Sequence, residues 1–273
     1  DLIEILDPQD RRAYWLNRYL YSGIKKATKL IAVSEYTAKT VSDYYGIDQK
    51  LITVAYNGVD NFYEINNFKE TVAYQALKSE FKISDNDKVI LYVGSEHPRK
   101  NVVGAARVVG RVVGKHKNVV WVKVGEPGIL RGRENLLKEI DSLGIRDRVR
   151  FVGNVGLEKL NEIYNLADVL IFPSRFEGFG LPPLEAMACG TPVVCSNSTS
   201  LPEVVGDDNR YGEQAAKSYD PDDYEGMFGA VSDFLLDERK IEEYKRRGIR
   251  RSRLFSWQTT AHKVAEVYRE LLD

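Results

Sequence analysis

The sequence predicts an α/β protein with a parallel β-sheet and helices packed on both of its faces. From Lys88 onward, short apolar runs alternate with longer amphipathic stretches, which is the pattern of consecutive βαβ units. A small or turn-forming residue follows each apolar run, so backbone amides at the strand ends can approach a ligand closely. These residues are Gly94, Gly125, Gly153, Pro173, Ser174 and Ser196.

Five strands and seven helices are predicted from Lys88 to the end of the chain. The strands are residues 89–93, 119–124, 149–152, 169–172 and 192–195. The helices between them are residues 101–115, 133–143, 157–165 and 182–188. The charged region after Asp220 predicts three outer helices, over residues 222–236, 238–254 and 257–272.

The first 60 or so residues have a different pattern from the rest of the chain. They predict a basic aromatic helix over 11–29, a strand over 30–33, a helix from Ser34 and a strand over 51–55. Such a short unit cannot form a core by itself. We therefore expect it to be the tail of another layer, joined to the main domain through residues 57–60.

Composition excludes several classes of protein. The chain has 273 residues, of which 43% are hydrophobic and 29% charged, as in soluble globular proteins. A net charge of -1 argues against a general nucleic-acid binder, which needs a surplus of Lys and Arg. The two cysteines, Cys189 and Cys195, are too few for a disulfide framework, and we expect free core thiols in a reducing compartment.

No apolar run approaches the ~20 residues that span a bilayer. We therefore expect a cytoplasmic protein. The cations and aromatic residues of segment 10–21 leave open a peripheral contact with the inner face of a membrane. The alternative, which we favour for this segment, is a helix between two layers of the protein.

The segment from Phe172 to Pro192 carries the strongest functional signal, because it reads as a strand, a glycine-rich loop and a helix. Prolines at the start of the helix and Gly190 just after its end fit the ends of a helix. A helix N-terminus at a ligand-binding edge is suited to bind a diphosphate. Glu177 lies in the loop and Glu185 is expected in the first helical turn, so that both carboxylates can reach one pocket.

Glu177 and Glu185, with Gly178, Phe179 and Gly180 after the first of them, resemble the paired-glutamate motif of retaining glycosyltransferases with the GT-B fold. The similar group is the glycogen-synthase-like and mannosyltransferase-like one, glycosyltransferase family 4 or "glycosyl transferases group 1". The resemblance extends over nearly the whole chain. Further matching segments are residues 33–35, 56–60, 92–94, 98–101, 151–153, 167–169, 201–204 and 255–257.

The resemblance implies roles for particular residues. Glu185 would accept hydrogen bonds from the donor ribose hydroxyls, and Glu177 would lie beside the transferred sugar. Lys100 would stabilise the negative charge that grows on the leaving diphosphate. Arg99 would share the charge of the diphosphate with Lys100, or its side chain would point away from the diphosphate.

The resemblance also implies which backbone segments bind the donor. The glycine loop would hold sugar hydroxyls and phosphate oxygens, and the end of the third strand would contact the base. The donor-binding residues so implied are Gly94, Ser95, Asn154, Val155, Phe179, Gly180 and Leu181. At Ser95 this sequence departs from the family, whose members typically carry an arginine there.

Members of the family have two Rossmann-like domains, and the resemblance implies that this chain starts within the first. Residues 1–60 would be the tail of the acceptor-side domain and its linker. Residues 61–254 would form the Rossmann-like, nucleotide-sugar-binding GT-B domain, and residues 255–273 the closing helix. The chain would then be a fragment, or would work with a partner that supplies the missing half.

The expected function is transfer of a hexose from a nucleoside diphosphate sugar to a glycan or lipid-linked acceptor, in polysaccharide biosynthesis. The resemblance implies retention of configuration without a metal or other cofactor. Residues 98–101 favour GDP-mannose over UDP-glucose as the donor. The Asp-x-Asp pairs at 85–87 and 220–222 lie in the wrong context for a metal site.

Two other functions stay open at this point. One is a non-catalytic sugar-nucleotide-binding module or half of a two-chain enzyme, and the other is a sugar-nucleotide epimerase of the same fold. The epimerase would need acid and base groups for which we find no convincing set. Lys100 by itself could be a surface lysine, and we expect Glu203 to cap or brace a helix rather than bind ligand.

Overall fold

The computed structural model describes residues 21–64, 68–128 and 131–272. Of the helix predicted over 11–29, residues 11–20 lie outside this part of the chain. Residues Tyr21–Lys26 form a 3₁₀ helix. A short amino-terminal unit, a six-stranded sheet with its helices, and a carboxy-terminal helix make up the described structure.

The amino-terminal unit is a single parallel β-α-β crossover. Strands β1 (Leu30–Ala32) and β2 (Ile52–Val54) pair in parallel, and helix α1 (Glu35–Tyr45) connects them. Helix α1 begins at Ser34, whose side chain accepts a hydrogen bond from the Thr37 amide. Its apolar side packs on the two strands through a small core formed by Ala32, Ala38, Val41 and Ile52.

The large sheet confirms the predicted fold class, because all six of its strands are parallel. Its strands are β3 (Lys88–Val93), β4 (Val119–Val124), β5 (Val149–Val152), β6 (Val169–Phe172), β7 (Val193–Ser196) and β8 (Lys217–Tyr219). They are ordered β5-β4-β3-β6-β7-β8. From β3 the chain adds β4 and β5 on one side of the sheet, and it then adds β6, β7 and β8 on the other side. Between β3 and β6 the sheet has the topological switch point at which open α/β sheets bind ligands.

Helices cover both faces of this sheet, because successive strand residues point to opposite sides. Leu91 belongs to one buried cluster, and its neighbours Ile90 and Tyr92 belong to the other. The helices are α2 (Val72–Glu80), α3 (Val102–Lys115), α4 (Gly132–Ser142), α5 (Leu157–Leu166), α6 (Leu181–Ala188), α7 (Leu201–Val205), α8 (Tyr224–Leu236) and α9 (Glu238–Ser252).

The structure differs from the sequence prediction at several elements. Strand β8 and helix α7 were not predicted, because elements of three and five residues are too short to show a periodic pattern. Helix α6 begins at Leu181, so Glu185 lies in its second turn and not in the first. Helix α8, predicted from residue 222, begins at Tyr224 and has Asp223 as its N-cap.

The carboxy-terminal helix α10 (Trp257–Glu270) packs against the amino-terminal unit. The Thr260 hydroxyl donates to the Tyr56 carbonyl oxygen at 2.6 Å, and Lys263 Nζ donates to the Val54 carbonyl oxygen at 3.0 Å. Lys29 and Glu270 form an ion pair at 2.8 Å. The two ends of the described chain thus lie side by side.

Glu203 joins the amino-terminal unit to the main domain. Its carboxylate accepts hydrogen bonds from the Glu35 amide at 2.7 Å and the Tyr36 amide at 2.8 Å, at the N-terminus of α1. The expectation that Glu203 braces a helix is therefore confirmed. Burial raises the pKa of Glu203, and the two backbone amides oppose this rise.

No helix in the described ranges is long and apolar enough to cross a membrane.

The first prediction concerns the contact between Glu203 and the N-terminus of α1. We expect Glu203→Gln to lower the free energy of unfolding by about 1–3 kcal/mol, because the amide NH₂ group faces a backbone donor and leaves it unsatisfied. Chemical denaturation measures the change. Glu238→Gln, at an exposed first position of α9, is the matched control. Equal stability of the Glu203 variant and the wild type would contradict the prediction.

Candidate functional site

The sequence-predicted catalytic residues meet at the carboxyl ends of β3 and β6. Lys100 lies in the loop after β3, in the 3₁₀ turn Pro98–Lys100, and Glu177 lies in the loop after β6. Lys100 Nζ is 2.6 Å from Glu177 Oε1 and 2.8 Å from Oε2. The structure thus brings together two residues that are 77 positions apart in the sequence.

The Lys100–Glu177 pair is largely withdrawn from water. The Lys100 side chain is 14% exposed and that of Glu177 is 8% exposed. Lys100 Nζ also lies 5.5 Å from the centroid of the Phe172 ring, within reach of a cation–π contact. Burial lowers the pKa of Lys100, and the Glu177 carboxylate opposes this effect.

Arg99 points toward Glu177, which resolves the question left open by the sequence. Its Nη1 donates to the Phe176 carbonyl oxygen at 3.1 Å and lies 3.7 Å from Glu177 Oε2. The Arg99 carbonyl oxygen accepts a hydrogen bond from the Arg175 amide at 2.7 Å. Side chain and backbone of Arg99 therefore both connect the loop after β3 to the loop after β6.

Buried Tyr92 supports the loop after β3 from below. Its hydroxyl lies 3.3 Å from the Ser95 carbonyl oxygen and 3.1 Å from the Lys100 carbonyl oxygen. Gly94 continues the ladder of β3 through a hydrogen bond from its amide to the Val124 carbonyl oxygen. Gly94 and Ser95 thus lie at the strand end, and the backbone of the loop is fixed before Lys100.

The glycine loop leads directly into α6. Gly180 has φ 114°, and a Cβ there would lie 2.6 Å from Leu201 Cδ2, so glycine is required. The next two helical residues after Leu181 are prolines, which have no amide hydrogen. The amides of Phe179, Gly180 and Leu181 donate to none of the described residues.

The Phe179 side chain has a different role from its backbone. Its ring is buried against the rings of Tyr56, at a centroid distance of 6.0 Å, and Phe255, at 5.8 Å. This aromatic cluster joins the glycine loop, the linker after β2 and the start of α10. The loop backbone is thereby held from the core side.

Glu185 lies in surroundings unlike those of Glu177. Its carboxylate accepts a hydrogen bond from the Tyr164 hydroxyl at 2.7 Å, and Tyr63 is a second hydroxyl partner. Burial raises the pKa of Glu185, whereas the two tyrosine hydroxyls work to lower it. These tyrosines carried no recognisable pattern in the sequence, since each belongs to a different segment of the chain from Glu185.

A cavity of about 470 Å³ opens between the amino-terminal unit and the glycine loop. Lys100 and Glu177 line it, and Glu185 does not. Tyr36 of α1 packs edge-on against Phe176 at 5.6 Å, and the Thr37 hydroxyl donates to the Gly178 carbonyl oxygen at 3.2 Å. The cavity therefore has one wall from each unit. Tyr36 and Thr37 carry no functional signal in the sequence, because their contacts with the glycine loop are long-range.

Asn154 and Val155 lie farther from the ion pair than the other predicted residues. They follow β5, which is separated from β3 by β4. At the usual spacing of neighbouring strands, the ends of β5 and β3 are about 10 Å apart. The Asn154 amide already donates to Glu126 Oε1 at 3.1 Å. Val155 packs against the core.

Neither Asp-x-Asp pair forms a cluster of ligands. Asp85 pairs with Lys78 near the amino-terminal end of β3, opposite the Lys100–Glu177 pair. Asp222 pairs with Arg175, which holds the pKa of Asp222 at about 2. Within the described ranges, no group of three or more His, Cys, Asp or Glu residues could hold a metal ion.

The fold is that of the GT-B glycosyltransferases. The six-stranded parallel sheet matches solved GT-B structures, among them the Anabaena protein HepE in complex with UDP and glucose, with a TM-score of 0.78 and 20% identity. That match covers 89% of this chain and 63% of the other. The chain belongs to the family described as "Glycosyl transferases group 1", whose model matches residues 74–251. A second model, "Glycosyltransferase Family 4", matches residues 5–61.

Two curated relatives from Escherichia coli are mannosyltransferases. The chain is 35% identical to O-antigen chain mannosyltransferase B over 186 residues, which is 66% of this chain and 45% of that protein. It is 29% identical to the serotype-specific mannosyltransferase WbdA over 285 residues, covering 100% of this chain and 33% of that protein. The chain thus spans between a third and a half of the length of these relatives.

The second prediction concerns the charge balance of the ion pair. We expect Glu177→Gln to lower the pKa of Lys100 further, because only burial and the nearby Arg99 then act on the amine. The chemical shift of the lysine ε-carbon against pH, measured by NMR, reports this titration. Glu266→Gln, on the exposed side of α10, should leave the titration of Lys100 unchanged. An unchanged or raised pKa in the Glu177 variant would refute the prediction.

Proposed function

We propose that this chain is the donor-nucleotide half of a retaining, metal-independent glycosyltransferase. It would transfer a hexose from a nucleoside diphosphate sugar to a glycan or lipid-linked acceptor in polysaccharide biosynthesis. The observation that carries the proposal is the buried Lys100–Glu177 pair at the switch point of the sheet. The glycine loop that follows Glu177 also has amides, those of Phe179, Gly180 and Leu181, that donate to none of the described residues.

In the proposed reaction, the bond between the anomeric carbon and the diphosphate oxygen breaks and the bond to the acceptor oxygen forms on the same face. The acceptor proton passes to the departing diphosphate. Lys100, with Arg99 beside it, stabilises the charge that develops on the leaving oxygens. The amides of Gly180 and Leu181 add donors at the N-terminus of α6.

The two glutamates have separate tasks in this proposal. Glu177 accepts hydrogen bonds from hydroxyls of the transferred sugar and stabilises its oxocarbenium-like face. Glu185, fixed by Tyr164, accepts from the vicinal hydroxyls of the ribose. The main-chain groups that follow β5, near Asn154 and Val155, contact the base.

GDP-mannose is the favoured donor, with UDP-glucose next. Support for mannose comes from the two mannosyltransferase relatives, one of which aligns with 100% of this chain. The structural neighbour that binds UDP and glucose keeps the second donor in the test. The acceptor would enter through the cavity between α1 and the glycine loop, which reaches Glu177.

The third prediction tests donor binding. Calorimetric titration with GDP and UDP in the presence of EDTA should show binding of one of them to the wild-type chain. Glu185→Ala should weaken it by about tenfold or more, because the ribose hydroxyls lose a carboxylate acceptor. Glu158→Ala, an exposed carboxylate in the first turn of α5, is the control. No binding by the wild type, or equal binding by the Glu185 variant, would refute the donor site.

The fourth prediction tests catalysis and stereochemistry. With GDP-mannose and a mannoside acceptor, the chain should release GDP, and proton NMR of the first product should show the α-anomer of the donor retained. Lys100→Met should lower kcat by about 100-fold, because the leaving diphosphate loses its positive partner. Binding without turnover would favour the alternative, a non-catalytic sugar-nucleotide-binding module.

A further inference from the structure

A second buried charge cluster lies beneath the loop that carries Lys100. Its members are Glu96 in that loop, Lys123 in β4 and Arg133 in the first turn of α4. The side chains of Glu96 and Lys123 are 0% exposed and that of Arg133 is 32% exposed. Lys123 Nζ lies 2.8 Å from Glu96 Oε1, and Arg133 Nε and Nη2 donate to the same carboxylate at 2.7 to 3.0 Å.

The buried charged groups of this cluster all have hydrogen-bond or ion-pair partners within the protein. Lys123 Nζ also donates to the Gly125 carbonyl oxygen at 2.7 Å, and the Arg133 guanidinium lies 4.3 Å from the Phe151 ring centroid. Burial works to raise the pKa of Glu96, but the two cations outweigh it and hold the pKa below its ordinary value. Glu96 is therefore a charged anchor inside the protein.

The backbone around Glu96 is packed as closely as its side chain. A Cβ at Gly132 would lie 2.1 Å from the Glu96 carbonyl oxygen, so only glycine fits at the start of α4. The loop after β3 is thus pressed against the first residue of α4. The position of the loop therefore depends on the position of Glu96.

Glu96 lies between two residues of the proposed donor site. It follows Ser95 directly and precedes Lys100 by four positions. The Tyr92 hydroxyl is within hydrogen-bond distance of the Ser95 and Lys100 carbonyl oxygens, and the Arg175 amide donates to the Arg99 carbonyl oxygen. The Glu96 side chain ties this segment to β4 and α4.

Stability alone is a poor explanation for such a cluster. A buried ion pair pays a large desolvation cost, and apolar replacements of similar size are often neutral or stabilising. Removal of one partner is strongly destabilising, because it leaves a buried charge uncompensated. The contacts of the cluster therefore call for an explanation other than stability.

We propose that Glu96, Lys123 and Arg133 form a positioning cluster that sets the loop of residues 94–100 for the donor diphosphate. The inference rests on the proposed function, since the diphosphate is its ligand. The three residues act through the loop backbone and through Lys100. They do not touch the reacting atoms.

The test separates positioning from stability with the double variant E96Q/K123M. This variant removes both buried charges together, so we expect thermal unfolding close to that of the wild type. We also expect the Kd for GDP or UDP, whichever the wild type binds, to rise by about tenfold, because the loop loses its anchor. The amides of residues 95–97 and 99–101 should exchange hydrogen faster, and those of β6 should not. R107Q, which breaks the exposed Arg107–Glu139 pair between α3 and α4, is the control.

A folded double variant with wild-type affinity overturns the inference. Should the double variant not fold, R133Q decides the matter, because it removes only the outer, partly exposed partner. It should raise the Kd by about threefold or more with the fold intact, and wild-type affinity would again overturn the inference. If the wild type binds neither nucleotide, the proposed function fails instead.

Discussion

The geometry of the site depends on the buried ion pair between Lys100 and Glu177. Two opposite charges at 2.6 Å, 14% and 8% exposed, are stable only where hydrogen-bonding groups replace the lost water. One charge comes from the loop after β3 and the other from the loop after β6, so both loops must be held. Tyr92 holds the first from the sheet, and the Arg99 backbone ties it to the second.

The amino-terminal unit is attached to the same loops, which makes it part of the site. Glu203 caps α1, and this places Tyr36 against Phe176 and Thr37 against the Gly178 carbonyl oxygen. Each of these contacts joins residues more than 130 positions apart in the chain. A short β-α-β unit with a small core is thus held in place by polar contacts at one end and by α10 at the other.

Local patterns in the sequence predict most of the fold, and long-range contacts account for what they miss. The strand-turn-helix pattern around Gly180 is local, and the structure has it within one residue. The direction of Arg99, the tyrosines around Glu185 and the charge cluster at Glu96 depend on residues from other strands. One signal was present: Lys123 is a charged residue in an otherwise apolar, fully buried strand, and such a charge requires a partner.

Glu177 and Glu185 show how surroundings can give two identical side chains different properties. Glu177 pairs with the Lys100 amine, so an anion that binds Lys100 competes with the Glu177 carboxylate. Such an anion would release the Glu177 oxygens toward the cavity. Glu185 faces two neutral hydroxyls, and burial raises its pKa. The Glu185 carboxylate can accept hydrogen bonds from further hydroxyls, and it needs no cation as a partner. In the proposed reaction, diphosphate binding at Lys100 and sugar recognition by Glu177 would consequently be coupled through one ion pair.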